Sequence, residues 1–98
     1  VTENERIISQ FTGGLFWNFD KSKLDYKKHK DMIIERIIEA GLENDEILMW
    51  KLYNYDDIKN VAINMENLEE EKIIYMSFVL HIEKEAFKCY GKKMWYQK

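Results

Sequence analysis

The sequence predicts an all-α fold: a compact single-domain bundle of about five short helices, preceded by an extended aromatic segment near the N-terminus. Three observations carry this expectation. Proline is absent from all 98 residues, so nothing interrupts a helix except glycines and capping residues. Ile33, Ile34, Ile37 and Ile38 recur with the period of one helix face. The segments between periodic runs are only about two to six residues long, which places each helix beside its neighbour in sequence.

The first element is an arm or short helix over residues 2–11, where Ile7, Ile8 and Phe11 have helical spacing and Gly13 and Gly14 follow. Leu15, Phe16, Trp17 and Phe19 show no helical period, which predicts an extended piece laid across the core. Asp25 is a good N-cap for a helix to Ala40, and Gly41 stands where a left-handed stop is expected. Asn44 or Asp45 should cap the next helix. Its Ile47, Leu48, Met49, Trp50, Leu52 and Tyr53 point nearly all round, predicting the most deeply buried helix of the chain, with Trp50 at the hub.

Asp56 opens a helix with Ile58, Val61, Ala62 and Met65 on one side. Asn67 is a suitable cap for the following segment, whose first turn contains Glu69, Glu70 and Glu71. Residues 73–80 form an apolar run broken only by Ser77. Periodicity cannot separate a buried strand from a buried helix at that length, but the acidic start favours helix. A last helix over residues 83–90 would bring Ile82, Ala86, Phe87 and Tyr90 together. The chain then divides into an N-terminal arm (1–14), a helical domain (15–90) and a basic, aromatic tail (91–98).

Hydrophobic content of 46% suits a packed interior, while 34% charged residues exclude an apolar membrane protein. No segment has the roughly 20 apolar residues that span a bilayer. Cys89 is the single cysteine and has no partner for an internal disulfide. A soluble, cytoplasmic protein is therefore expected.

The net charge of −3 hides a segregation: residues 35–72 hold eleven acids against four bases, a net of −7, whereas residues 20–34 and 83–98 are +2 and +3. A dipolar surface of this kind suggests a charged partner. Lys21, Lys23, Lys27, Lys28, His29 and Lys30 cluster at the start of a helix, where cations oppose the helix dipole. A broken local rule can mark function, and unpaired N–H groups there would suit a phosphate or carboxylate. The opposing reading is a set of solvated side chains neutralised by nearby acids. Phe16, Trp17, Lys23, Lys27, Lys28 and Lys30 are accordingly the candidate interaction surface. In the tail, Lys92, Lys93, Trp95 and Tyr96 interleave bases with aromatics, a pattern that can stack and neutralise single-stranded nucleic acid. Folding of Met94 and Trp95 back onto the core, or docking into a partner, fits an acidic chain better.

Catalytic candidates are few. His29, His81 and Cys89 carry no orienting motif, and a His81–Cys89 pair is weaker than its alternative, a histidine at a helix end and an inert core cysteine. Two histidines and one cysteine far apart do not make a zinc site, and Asp56, Asp57 and residues 69–71 sit where helix starts want acids. No catalytic residue, metal or cofactor is expected. A helix-turn-helix drawn through Tyr55 would present Asp57, Lys59, Asn60, Asn64 and Glu66, too acidic a face for a DNA groove.

Leu15, Phe16, Trp17 and Asp20, then Lys23, Leu24, Asp25 and Tyr26, then Lys28, His29 and Lys30, and then residues 33–41, resemble a family of short bacterial domains of unknown function found in Bacteroidetes and some Firmicutes. Trp50, Leu52, Tyr53, Tyr55, Ile58 and Val61 are similar to its middle helices, and residues 82–90 to its closing segment. Asn18 and Glu83 depart from the pattern, where aspartate and proline are usual. Genes of the family often lie beside a nucleotidyltransferase-like toxin of the abortive-infection type. The resemblance thus implies a non-catalytic interaction module, an antitoxin or accessory protein that meets the neighbouring gene's product. A nucleic-acid-binding regulator is the alternative, and a homodimer formed by exchange of residues 1–11 is a further expectation.

Overall fold

The computed structural model describes residues 2–16, 20, 23–66 and 68–90. The regular structure among them is helical: α1 (Glu3–Ser9), α2 (Lys30–Ala40), α3 (Glu43–Leu52), α4 (Tyr55–Asn64), α5 (Glu70–Leu80), a 3-10 turn at Lys84–Ala86 and helical residues at 88–90. The fold is all-α, and residues 73–80 are helix. The backbone divides into two compact units, Val1–Asn54 and Tyr55–Lys98.

In the first unit, α1 starts where the Thr2 hydroxyl accepts the Glu5 N–H at 3.1 Å, with Glu3 and Glu5 in the first turn and Arg6 in the last, as the helix dipole favours. Ile8 and Phe11 are buried, so residues 1–14 contribute side chains to the core. Residues 13–16 form a turn closed by the Leu15 N–H on the Thr12 carbonyl at 3.0 Å, not the extended segment the aperiodic aromatics suggested. Leu15 and Phe16 point inward, and Phe16 meets Phe11 edge to face with ring centres 5.8 Å apart, a favoured aromatic geometry.

Helix α2 buries Ile33, Ile34, Ile37 and Ile38 along one side. Burying four large aliphatic side chains, each worth about 1.5–3 kcal/mol, outweighs the weak helix preference of β-branched residues. Its start differs from expectation: Asp25 caps the preceding turn, and the helix itself begins at Lys30 after His29. Gly41 is extended (φ −71°, ψ 154°) and not left-handed. Glycine is required there by space, since a Cβ would lie 2.6 Å from the Ile37 carbonyl oxygen.

Helix α3 departs most from its reading. It begins at Glu43 and buries only Asp45 and Met49; Trp50 is half-buried and Ile47 exposed. Trp50 is therefore no hub. An apolar sequence with no dominant face does not by itself produce all-round burial, because only the side that meets other elements is covered.

In the second unit, α4 turns Ile58 and Ala62 inward, with Met65 buried just beyond. Asn67, the expected cap of the next helix, lies outside the described residues; α5 starts after Glu69, which is extended. Ile73, Met76 and Leu80 form its buried side. It ends at His81 in the left-handed region (φ 58°, ψ 43°), where the Ile82 N–H reaches back to the Ser77 carbonyl at 3.1 Å, the six-to-one bond of a Schellman stop. The helix expected over residues 83–90 is instead a 3-10 turn, an extended Phe87 (φ −81°, ψ 125°) and, among the described residues, α-helix only at 88–90. Phe87 and Cys89 are buried there, while Ala86 and Lys88 are exposed.

Candidate interaction surfaces

The basic turn before α2 is built by polar groups beneath it. One Asp25 carboxylate oxygen accepts the N–H groups of Lys27 at 2.8 Å and Lys28 at 3.1 Å, and the Asp25 carbonyl accepts the His29 N–H at 2.9 Å. In return the Asp25 N–H donates to His29 Nδ1 at 3.0 Å, a reciprocal arrangement like a capping box. The N–H groups of Lys28 and then of Lys27 hold the Asp25 carboxyl below the usual carboxylate range.

From the other side, Asn4 donates to the Leu24 carbonyl and accepts the Tyr26 N–H at 2.8 Å, while the Tyr53 hydroxyl donates to the Tyr26 carbonyl at 2.7 Å. The turn is thus held by side chains from α1 and the end of α3. It presents Lys23, Lys27 and Lys28 to solvent, with Lys30 half-buried and the Lys27 ammonium 5.7 Å from the centre of the Tyr26 ring.

Two parts of the expected surface change. Phe16, at 1% exposure, is a core residue and has no face left to offer a partner. The amides of Lys27, Lys28 and His29, which an anion would need, are already bonded within the turn. The lysines remain as charges without a backbone cradle. Trp17, like Lys92, Lys93, Trp95 and Tyr96 of the tail, lies outside the described residues.

A second surface lies on α5 and was hidden in the sequence by the continuity of its apolar run. Opposite Ile73, Met76 and Leu80, the helix exposes Ile74 at 46%, Tyr75 at 49% and Phe78 at 80%. Ile74 and Phe78 are four residues apart and Tyr75 and Phe78 three, so the three lie side by side. Glu70 and Glu71, both exposed, stand at its N-terminal end. Buried apolar groups do the structural work on one side of α5, and an apolar strip with an acidic end faces water on the other.

The groups considered for catalysis lie in three separate settings. Cys89 is buried and its thiol faces the Leu68 carbonyl at 3.8 Å. His81 is exposed and forms the left-handed end of α5, and His29 supports the turn at Asp25. Among the described residues no cluster of three or more histidine, cysteine or acidic side chains could hold a metal. A depression of about 280 Å³ is lined, among the described residues, by Met32, Glu35, Arg36 and Glu39 of α2.

A family model describing a family of unknown function, DUF6922, matches residues 11–62. The chain belongs to this family. The matched DUF6922 span takes in the turn at 13–16, the basic turn, α2, α3 and most of α4. It ends before α5 and before the closing segment at 82–90 that the sequence resemblance also included. No curated protein and no solved structure matches the chain. No helix among the described residues is long and apolar enough to cross a membrane.

Proposed function

We propose that this chain is a non-catalytic helical protein–protein interaction module whose docking surface is the outward side of α5. The observation that carries the reading is Phe78, 80% exposed beside Ile74 and Tyr75. Isolated exposed apolar residues are ordinary, whereas a contiguous group on one helix face marks an interaction site. Its partner is a protein with an apolar strip and basic residues at one end, complementary to Glu70 and Glu71. Lys23, Lys27 and Lys28 supply a separate charged surface that affects encounter more than affinity.

In its specific form the module is a bacterial, cytoplasmic antitoxin or accessory partner of a nucleotidyltransferase-type toxin. This form is supported by the family resemblance alone. Copurification of the tagged full chain with the neighbouring gene's product is the test. A complex that Phe78→Asp weakens at least tenfold, measured by calorimetry, is the expected result, since one buried phenyl group is worth about 1.5–3 kcal/mol. A complex indifferent to Phe78→Asp would remove α5 from the interface, and absence of any complex would remove the reading. Binding to nucleic acid that falls steeply with salt would favour the regulator instead.

A further inference from the structure

We propose that, when no external partner is bound, the outward side of α5 is occupied by the same helix of a second copy, giving a weak two-fold dimer. This deepens the docking reading above and rests on it. The occupant described there, an apolar strip with a basic group at one end, is matched by α5 itself.

The strip is self-complementary. Glu71, Ile74, Tyr75 and Phe78 are spaced so that they share one side of the helix, and all four are exposed. His81, exposed at the left-handed end of α5, stands three residues beyond Phe78. Outward from the level of position 76, this side carries an apolar residue two places away in each direction, Ile74 and Phe78, and a polar one five places away, Glu71 and His81. A two-fold axis at that level interchanges the ends, so two antiparallel copies of α5 set Phe78 against Ile74 of the second copy and Glu71 against His81 of the second copy, each contact occurring twice. A parallel pair would bring Glu71 against its own equivalent, where like charges oppose association.

An imidazole N–H donates to a carboxylate whether the ring is neutral or charged, so the outer pairs form in either state. Glu70, also exposed, adds to the acidic end; Glu83, Lys84 and Glu85 follow His81 as exposed residues of mixed sign, which leaves His81 as the group in register with Glu71. Area sets the strength. Ile74, Tyr75 and Phe78 expose on the order of 300 Å² per copy, given roughly 150–250 Å² for a whole large aromatic side chain. Two copies then cover about 600 Å² of apolar surface, half of the roughly 1,200 Å² at which stable interfaces begin, and the dimer midpoint is on the order of 0.1 mM.

Sedimentation equilibrium of the full chain from about 10 µM to about 1 mM should show monomer passing to dimer and stopping there, because a two-fold contact closes on itself. Each substitution enters the contact twice. Phe78→Ser should raise the midpoint about tenfold or more, and Glu71→Lys and His81→Asp severalfold each, aspartate being tolerated in the left-handed region. The two charge changes combined should return the midpoint towards its original value, since lysine then faces aspartate. A chain that stays monomeric throughout, or a dimer indifferent to Phe78→Ser, overturns the proposal. So does a double variant that pairs no better than either single one, with unchanged unfolding in urea as the control for an intact fold. Orientation is read by mild oxidation: Tyr75→Cys should crosslink between copies, whereas Glu71→Cys should not, its equivalents lying about 15 Å apart along the helix axis. Cys89 is buried and stays out of the reaction. Equal crosslinking of both variants overturns the antiparallel register.

The two failures are distinguishable. A monomeric chain that still forms a complex sensitive to Phe78→Asp with the neighbouring gene's product removes the dimer and keeps the docking reading. A dimer sensitive to Phe78→Ser without any such complex keeps the dimer and removes the external partner. Where both form, the external partner should convert the dimer to one-to-one complexes; a complex that retains the dimer supports the pairing of α5 and removes this helix from the external interface.

Discussion

The two units spend their apolar and polar groups differently. In the first, side chains reach far along the chain: Asp45 to the Thr12 N–H and hydroxyl, Asn4 to the backbone of residues 24 and 26, Tyr53 to the Tyr26 carbonyl. In the second, Tyr55 donates to the Leu80 carbonyl and Cys89 faces that of Leu68, and the long apolar helix turns half of its bulk outward. The first unit is specified by directional bonds that fix its loops. The second buries one stripe of α5 and leaves Ile74, Tyr75 and Phe78 exposed on the other, and the proposed docking surface is placed there for that reason.

The sharpest way to break that contrast is at Asp45. Its carboxylate is fully buried and accepts the Thr12 N–H at 2.8 Å, the Thr12 hydroxyl at 2.6 Å and the Leu42 N–H at 2.9 Å. Asp45→Ala leaves these donors without an acceptor in a closed site and should cost about 3 kcal/mol in urea denaturation. Gly41→Ala follows at about 2 kcal/mol, because the new methyl group must push against backbone at the Ile37 carbonyl. In the second unit, His81→Gly should stabilise by about 1 kcal/mol, relieving a non-glycine residue at φ 58°.

Phe78→Ser should change stability by less than about 0.5 kcal/mol, the usual range for an exposed position. A large loss would mean that the strip on α5 is structural, and the contrast between the units would fail. The smallest effect is expected at Asp25. Its carboxyl is held below the ordinary range in the folded chain, so its contribution is complete above the unfolded value and disappears as pH falls through the folded one. Carbon-detected titration should place its midpoint below that of an unstructured aspartate, and Asp25→Asn should remove that acid-range component of the stability profile.

Helix α2 was legible because four isoleucines at one period allow a single side to be covered, and α4 for the same reason. The inward turn of Phe16 was not, since an aromatic beside lysines reads equally well as surface or core until its ring partner, Phe11, is placed. Asp45 was read as an N-cap, whereas Leu42 holds that position and Asp45 lies in the first turn, its carboxylate accepting the Leu42 N–H from within the helix. Its other partner is 33 residues away, and no local pattern announces so distant a bond. The α5 strip failed to show because an unbroken apolar run has no outward side until neighbours define one. Asn4 is the residue that sequence reasoning passed over entirely; a single asparagine in a short helix carries no signal that both ends of its amide will be used.

The Asp45 clasp also governs how readily the first helix could be handed to another copy of the chain. Thr12 sits at the hinge such a transfer would use, and its amide and hydroxyl are both fastened to the α2–α3 junction. A swapped dimer would have to undo that fastening and the two Asn4 bonds before forming their equivalents in trans. Transfer would then wait on opening of the entire first unit, so monomer once folded should keep its own α1 over long storage, and swapped species should arise mainly during refolding at high concentration.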